Sequence, residues 1–524
     1  MFANLGPLCR LVLRRDWLRS LLWITGLVAL MVGFGFAVPG MYPTQADIAL
    51  ILETMKSPTM VVMMGPAYGT TIGALYAAFM VVWSGLILAI MNVFLVVRHT
   101  RQDEERGRLE VIRSLPVGRL SSLGAALVSA IVIDAVVAVI TGFGLAAVPQ
   151  DSFTLGGSLL FGVSVGAVGV AFAVVTALMC QLTANPRTAQ AWSFGLLILA
   201  YLVRGFGDVR SEFLACLSPL GLVVRGQVYV RDLWWPVLVT LGVAAAGAAL
   251  ALALAARRDL GQGLIADRPG RREAAASLRG PAGLAWRLSR SALIVWTVAM
   301  LVLGASYGSV MGDMEAFIAS NEIFQQMFGD GDPAQFVSLI MEIMAIIGAI
   351  PALQFVLRAR SQEREGFAEA VLARSVSHDE QLRGYVGLGA VAAVVMPVVT
   401  AVGFWLGSHA VMDQPIPLAT FLKAALVYVP AIWLMLGLAL VLIAYLPRHT
   451  SAAWFYLGYA GFIAYIGAMM RFPDWTAQLS PFGHVPKLPL QDFTAVGLIV
   501  MTVLAGALSV AGFVGYSRRD MVYG

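Results

Sequence analysis

Charged side chains and cysteine are both scarce in this 524-residue sequence. Charged residues make up 12% of the chain, against about a quarter of an average soluble domain. Hydrophobic residues make up 59%, and the mean hydropathy is +0.82. So little charge cannot cover a water-exposed surface, but it suffices for a chain embedded in a bilayer, where lipid replaces water. The three scattered cysteines, Cys9, Cys180 and Cys216, exclude a disulfide framework and a CxxC site.

Lysine is as scarce as cysteine, with three residues, and this bears on nucleotide binding. The lysines are Lys56, Lys423 and Lys487, and none follows a glycine, whereas a P-loop requires GxxxxGK[ST]. No two of the five histidines share metal-ligand spacing, and no nucleophile stands beside a base. We therefore expect no catalytic residue and no metal or other cofactor bound by this chain.

Long apolar runs dominate what is present. A spanning helix needs about 20 mostly apolar residues, and twelve segments qualify, although 188–203 is short. They are 20–38, 71–97, 120–148, 155–182, 188–203, 234–256, 291–310, 334–357, 384–406, 424–446, 451–470 and 493–516. The first run is longer than the apolar core of a signal peptide and lacks a cleavage site after it, so we interpret it as a retained helix. The sequence predicts an all-α integral membrane protein with about twelve transmembrane helices.

The basic residues are distributed unevenly between alternate loops. With twelve crossings, 27 of the 35 Lys and Arg residues fall on the side of the two termini. Positively charged loops stay in the cytoplasm. This predicts a multi-pass protein of the cell membrane, from a bacterium, with both termini cytoplasmic.

Four short segments recur in the same order in the two halves of the chain. They pair Arg14 and Trp23 with Arg287 and Trp296, the loop from 101 (RQDEERGRLEVIRSLPVGR) with the loop from 360 (RSQEREGFAEAVLARSVSH), LSPLG at 217–221 with LSPFG at 479–483, and Arg-Arg-Asp at 257–259 with Arg-Arg-Asp at 518–520. Six crossings per half keep both halves in one orientation, which predicts parallel repeats. We assign 1–260 to the first half, 261–282 to a cytoplasmic linker and 283–524 to the second half.

The charged loops after the second and eighth helices are too short to be domains. Their mixed acidic and basic residues are suited to register and specificity against a cytoplasmic partner. A solvated loop that only satisfies the positive-inside rule is the alternative, and recurrence of Glu and Gly at matching positions in the two loops speaks against it.

These repeated segments resemble those of ABC-2 type permeases, specifically the fused two-half form of actinobacterial exporters of polyketide antibiotics. The resemblance covers nearly the whole chain. It implies that each charged loop holds a coupling helix that docks on an ATPase subunit, and that short re-entrant helices at the outer mouth contain the LSPLG and LSPFG segments. The residues that match are Glu104, Glu105, Gly107, Arg108, Glu110, Glu363, Gly366 and Glu369 for coupling, and Ser218, Pro219, Gly221, Ser480, Pro481 and Gly483 for the re-entrant segments. The second coupling copy departs from the pattern at Phe367, which replaces the arginine, and at 374–376, which replace Leu-Pro-Val.

The resemblance also implies a substrate path between the halves. Aromatic and Met side chains adapt to bulky apolar substrates, although ordinary helix packing explains each of them as well. The candidates are Phe79, Met80, Trp83, Trp192, Tyr201, Met344 and Trp454, together with the carboxylate Asp134. Asp134 lies well inside an apolar run, where an ionisable group indicates either a functional site or a hydrogen bond to a neighbouring helix. Glu342 lies nearer the start of its helix, where we expect an interfacial position.

The function indicated is the membrane permease subunit of an ATP-driven exporter of amphipathic small molecules such as antibiotics or drugs. Its expected partners are two copies of a cytoplasmic ABC ATPase, which would hold ATP and Mg, the lipid bilayer and the substrate, with no nucleic acid. A twelve-helix secondary transporter driven by an ion gradient is one alternative, but the Gly-x-x-x-Asp-Arg-x-Gly-Arg-Arg signature is absent after helix two. A non-transporting membrane enzyme or scaffold is the other, and it would need a polar catalytic cluster at one interface, which the sequence does not contain.

Overall fold

The computed structural model describes residues 1–56, 58–265, 280–313, 333–373, 376–412, 416–466 and 473–519, with 273, 275 and 278. Over these residues the chain is helical and contains no strand. The chain divides into two compact units, Met1–Gly270 and Arg271–Gly524.

Unit 1 contains thirteen α-helices in its described residues, of which six are long. They are α1 (Leu5–Arg15), α2 (Trp17–Met41), α3 (Gln45–Met55), α4 (Pro58–Met64), α5 (Ile72–Val97), α6 (Asp103–Glu105), α7 (Arg108–Arg113), α8 (Ser121–Ala146), α9 (Leu155–Leu182), α10 (Pro186–Arg210), α11 (Glu212–Cys216), α12 (Pro219–Val224) and α13 (Trp235–Arg257). A π-helical turn, Arg98–Gln102, continues α5 into α6.

Unit 2 repeats much of this order. Its described helices are α14 (Pro281–Ser309), α15 (Pro333–Arg364), α16 (Phe367–Leu372), α17 (His378–His409), α18 (Leu418–Leu426), α19 (Val429–Tyr445), α20 (Ala452–Ile466), α21 (Asp474–Gln478) and α22 (Ala495–Arg518). Two 3-10 turns, Val310–Asp313 and Pro481–His484, follow α14 and α21.

Eleven helical segments in the described residues are long and apolar enough to cross a membrane. The prediction of an all-α, multi-span membrane protein is confirmed. The remaining predicted span, 451–470, is described as a helix only over Ala452–Ile466, which is 15 residues long, and 467–470 lie outside the described residues. Two short apolar stretches, α18 and α19, together form the span predicted at 424–446.

Two predicted boundaries differ from the structure for identifiable reasons. The fifth helix extends from Pro186 to Arg210, well beyond the predicted 188–203. Asn185 caps its start by accepting a hydrogen bond from the backbone N–H of Arg187, and its charged end continues because Arg204 and Asp208 pair with each other inside the unit. The first span is preceded by a separate helix, α1, which carries most of the basic residues of the N-terminus.

The centre of each unit is formed by the second and fourth long helices. In unit 1, α5 and α9 bury most of their apolar side chains, and in unit 2 α15 and α19 do the same. Close approach depends on small residues. A Cβ on Gly162 of α9 would lie 2.2 Å from the Ala138 carbonyl oxygen of α8, and one on Gly407 of α17 would lie 2.1 Å from the Ala305 carbonyl oxygen of α14.

Candidate functional site

Buried ion pairs hold the loop after α5 against the ends of two other helices. Glu104, whose side chain is 7% exposed, accepts two 3.1 Å hydrogen bonds from Arg258, Nη1 to Oε1 and Nη2 to Oε2. Arg101 Nη1 donates to Glu104 Oε2 at 3.0 Å, and the Gly261 N–H donates to Oε1 at 2.6 Å. Arg101 Nε also donates to the Cys180 carbonyl. Glu104 therefore joins this loop to the end of α13 and, through Arg101, to the end of α9.

Unit 2 contains the same arrangement at the matching positions. Glu363, whose side chain is fully buried, accepts hydrogen bonds from Arg519 Nη1 at 2.8 Å and Nη2 at 2.6 Å. Arg360 Nη1 lies 3.2 Å from Glu363 Oε2, and its Nε donates to the Pro447 carbonyl at 3.0 Å. Bidentate Arg–carboxylate pairs fix orientation as well as distance. Each loop is thus held at a defined angle to the last helix of its unit.

A left-handed glycine follows each of these ion pairs and begins a short helix. Gly107 has φ of 69° and Gly366 has φ of 77°, a conformation that L side chains rarely adopt. The short helices α7 and α16 start at the next residue and bury one residue each against their own unit, Leu109 and Ala368.

The eight predicted coupling residues divide into three groups by their place in the structure. Glu104 and Glu363 are enclosed in the ion pairs, and Gly107 and Gly366 form the turns. The exposed members are Glu105, Arg108, Glu110 and Glu369. The exposed surface of the second copy also contains Phe367, at 57% exposure, in place of the arginine of the first.

A second cluster of ion pairs, in unit 1, connects this loop to the junction of α1 and α2. Arg15 donates to Asp103 Oδ2 at 2.6 Å and Oδ1 at 2.8 Å. At the junction itself Asp16 Oδ2 lies 2.7 Å from His99 Nε2. The other carboxylate oxygen of Asp16, Oδ1, lies 3.4 Å from Arg98 Nη1. Burial alone would raise the pKa of Asp16, but the hydrogen bond to His99 and the nearby positive charges outweigh it and leave this pKa below its ordinary value.

The LSPLG and LSPFG segments form matching tight turns at the opposite end of the long helices. Ser218 Oγ accepts from the Leu220 N–H at 3.2 Å, and Ser480 Oγ accepts from the Phe482 N–H at 3.3 Å. Pro219 and Pro481 each occupy a first helical position. In unit 1 the two short helices α11 and α12 pack on each other between α10 and α13. All six predicted residues therefore belong to these turns.

Glycine is required in both turns by a close approach of backbone. A Cβ on Gly221 would lie 2.0 Å from the Ala215 carbonyl oxygen, and one on Gly483 would lie 2.2 Å from the Ala477 carbonyl oxygen. The contact is between the same two positions of each repeat.

Comparison with known proteins assigns the family. The family model described as "Multidrug efflux system permease Rv1217c, C-terminal domain" matches residues 5–256 and 278–517. The chain is also 34% identical over 534 residues to the multidrug efflux system permease protein Rv1217c of Mycobacterium tuberculosis (strain ATCC 25618 / H37Rv), with 99% of this chain and 96% of that protein covered. The chain belongs to the multidrug efflux system permeases. The resemblance to a transporter permease inferred from the sequence is confirmed.

The predicted substrate-path residues of this permease lie in different environments. Trp83, Trp192 and Trp454 are 40%, 44% and 37% exposed, whereas Met80 and Met344 are buried in the cores of their units. Phe79 and Tyr201 are half-buried. Within unit 1, Trp83 and Tyr201 have ring centroids 6.4 Å apart, so α5 and α10 share one aromatic surface.

Asp134 of the permease contacts a neighbouring helix. Its Oδ1 accepts a 2.9 Å hydrogen bond from Asn92 Nδ2 of α5, and both side chains are buried. A Cβ on Gly169 of α9 would lie 2.8 Å from Asp134 Oδ2. No ion pair to Asp134 occurs within the described residues. The contact thus joins α5 and α8 beside Gly169 of α9.

The permease also contains a buried charge cluster that the sequence interpretation placed in an outer loop. Arg204 is fully buried in α10 and donates to the Val62 carbonyl at 2.8 Å. Asp208 lies 3.4 Å from Arg204 Nη1 and 2.9 Å from Arg225 Nη1. The spacing of four residues between Arg204 and Asp208 was a usable signal, because such residues are neighbours on one helix face.

Glu342 of the permease is buried inside unit 2, and its interfacial position in the membrane stays a prediction. It is 4% exposed in α15 and lies 3.2 Å from Lys487 Nζ through its Oε2. The lysine follows the LSPFG turn, 145 residues further along the chain, and no sequence spacing predicted the pair.

Proposed function

We propose that this chain is the membrane permease subunit of an ATP-driven exporter of amphipathic small molecules, working with a separate cytoplasmic ATPase present in two copies. In each unit an Arg–Glu–Arg cluster of ion pairs lies at the end of the second long helix or just after it, and a left-handed glycine and a short exposed helix follow. This arrangement is the observation that carries the proposal. A rigid loop transmits force only if it is fixed to the helices it must move, and these ion pairs supply that attachment.

The relative Rv1217c is a multidrug efflux system permease protein. This similarity supports a role of the present chain in export. The P-loop lysine motif is missing from this sequence, so hydrolysis would take place in a partner. With positively charged loops on the cytoplasmic side, both termini and both short helices, α7 and α16, face that partner.

The exposed residues of α7 and of the turn before it form the proposed contact surface in unit 1. Glu105, Arg108 and Glu110 supply charge, and Val111, at 69% exposure, supplies apolar area. In unit 2 the corresponding surface presents Phe367 and Glu369. Glu104 and Glu363 act as positioning residues, since their carboxylates are occupied within their own units.

Affinity purification in mild detergent tests the proposal. We expect a nucleotide-binding subunit to co-purify in stoichiometric amount, and the double variant Glu105→Lys/Glu110→Lys to reduce its recovery at least fivefold. Asp151→Lys is a matched control, because Asp151 is an exposed acid in the turn between α8 and α9, at the other end of the unit. Recovery should not change in that variant.

The energy source distinguishes the proposed ATP-driven exporter from a secondary transporter driven by an ion gradient. Export that stops on ATP depletion and persists with proton uncouplers supports the proposal. Transport by the purified chain alone, driven by an ion gradient and indifferent to nucleotide, would contradict it.

A further inference from the structure

The pair between Glu342 and Lys487 is unevenly enclosed. The carboxylate side chain is 6% exposed, whereas the lysine side chain is 44% exposed, and the single contact is 3.2 Å. Glu342 lies in the segment Ala334–Arg364, which is long and apolar enough to cross a membrane. Burial of a carboxylate in such a segment is costly and indicates function.

The matching cation of unit 1 is held much more firmly. Arg225 occupies the position of Lys487 relative to the LSPLG turn, and its side chain is 9% exposed. It donates from Nη1 both to Asp208 at 2.9 Å and to the Gly221 carbonyl at 3.0 Å. At the offset of 259 that aligns the two loops, Glu342 itself corresponds to Trp83. The acid on the second long helix is therefore specific to unit 2, and its lysine is loosely held.

Polar groups near this carboxylate have unused hydrogen-bonding capacity. The Tyr428 hydroxyl is buried without a hydrogen-bond partner and is close enough to Glu342 to interact with it electrostatically. Ser338 lies one helical turn before Glu342, and its buried hydroxyl also has no partner. A buried polar group without a hydrogen-bond partner destabilises the folded protein. Buried hydroxyls beside a buried carboxylate are able to donate to or accept from a bound polar group.

We propose that Glu342, with the hydroxyls of Tyr428 and Ser338, binds the ammonium group of amphipathic cationic substrates, and that Lys487 occupies the carboxylate when no substrate is bound. Lys487 Nζ is itself an alkylammonium group in contact with the acid, so its withdrawal leaves a space of the right charge and size. An ammonium has three N–H donors, which matches one carboxylate oxygen and two hydroxyl oxygens. The inference rests on the proposed export of amphipathic molecules and names a substrate class for it.

Two fluorescent ligands that differ in one group test the proposal. The purified permease in lipid nanodiscs is titrated with N-(5-aminopentyl)dansylamide, an ammonium at pH 7, and with N-(5-hydroxypentyl)dansylamide, its neutral alcohol. We expect the ammonium to bind at least tenfold more tightly than the alcohol. Glu342→Gln should abolish the difference, and Glu342→Asp should keep most of it. Because no ATPase is present, failure of the ATPase assignment would leave these binding results unaffected.

Lys487→Gln distinguishes a ligand site from a structural tether. Removal of the competing lysine should strengthen ammonium binding at least threefold and leave alcohol binding unchanged. If the pair only anchors the LSPFG turn, Lys487→Gln should weaken or not change ammonium binding. Asp492→Asn is the matched control, since Asp492 is an exposed acid five residues after Lys487, and it should alter neither affinity. Equal binding of ammonium and alcohol to the unmodified protein, or ammonium binding that Lys487→Gln weakens or leaves unchanged, would overturn the proposal.

Discussion

Arg258 Nη1 and Nη2 each lie 3.1 Å from one oxygen of Glu104, and 154 residues of chain separate the two. Arg519 and Glu363 form the same bidentate pair in unit 2, across 156 residues. The Arg-Arg-Asp segments at the ends of the two halves are thus explained by their second arginine, which fixes the charged loop to the last helix.

Neutralising either Glu104 or Arg258 should destabilise unit 1. Breaking a buried ion pair leaves an uncompensated charge and costs about 3–5 kcal/mol, so Glu104→Gln and Arg258→Gln should each lower the thermal midpoint in detergent. The double variant should lose less than the sum of the two, because the contact between Glu104 and Arg258 can be lost only once, while Arg101 loses its partner Glu104 in the single and the double variant alike.

The matched control for that experiment is the exposed pair of Glu53 and Lys56, whose side chains are 69% and 70% exposed. An exposed pair contributes about 0–1 kcal/mol, so Lys56→Gln should leave the midpoint nearly unchanged. Additive losses for Glu104 and Arg258 would contradict a coupled pair.

Alanine at Gly221 or Gly483 should distort the turns between the fifth and sixth long helices. The added methyl group would lie within 2.2 Å of a carbonyl oxygen in both cases, and backbone cannot yield as a flexible side chain does. We expect lower thermal midpoints and faster proteolysis of these turns. Gly195→Ala and Gly506→Ala are controls, since no atom lies within 4 Å of their Cβ positions. Equal behaviour of all four variants would contradict the close approach.

The contact between Asp134 and Asn92 should depend on hydrogen bonding rather than on charge. Asp134→Asn keeps a polar group of the same size and should retain the thermal midpoint and transport, whereas Asp134→Leu and Asn92→Leu should lower the midpoint. Hydrogen bonds between membrane helices contribute about 0.6–2 kcal/mol. Gly169→Val should resemble the leucine variants, because its side chain would collide with both residues. Loss of transport in a stably folded Asp134→Asn would indicate a proton-transfer role instead.

The junction of α1 and α2 should lose stability in acid. The pKa of Asp16 is lower in the folded protein than its ordinary value, so its contribution is present above about pH 3.9 and is lost as the pH falls through the folded-state pKa. The thermal midpoint of the unmodified protein should exceed that of Asp16→Asn at pH 6. This gap should shrink below about pH 4, and a gap that stays constant down to pH 3 would contradict the ion-pair assignment.

The sequence identified most spanning segments because crossing a bilayer is a local requirement. A run of about 20 apolar residues must satisfy its own backbone as a helix, and this holds for 72–97 or 155–182 whatever lies beside them. The LSPLG and LSPFG turns, which follow α10 and α20, could also be recognised in the sequence. Ser, Pro and Gly at fixed positions favour particular local backbone conformations.

By itself, then, the sequence determined a duplicated, many-helix membrane protein with two charged loops and two capped turns, since these depend on neighbours along the chain. Only the tertiary structure decided which charges are exposed. Hydropathy ended the fifth helix before Arg204, but the helix continues because Asp208 pairs with both Arg204 and Arg225 inside unit 1. Glu104 was predicted to be a surface residue, but Arg258 encloses its carboxylate, and the burial of Glu342 beside Lys487 was not predicted. These two carboxylates are buried beside partners that lie more than a hundred residues away along the chain, and no local pattern records such a partner.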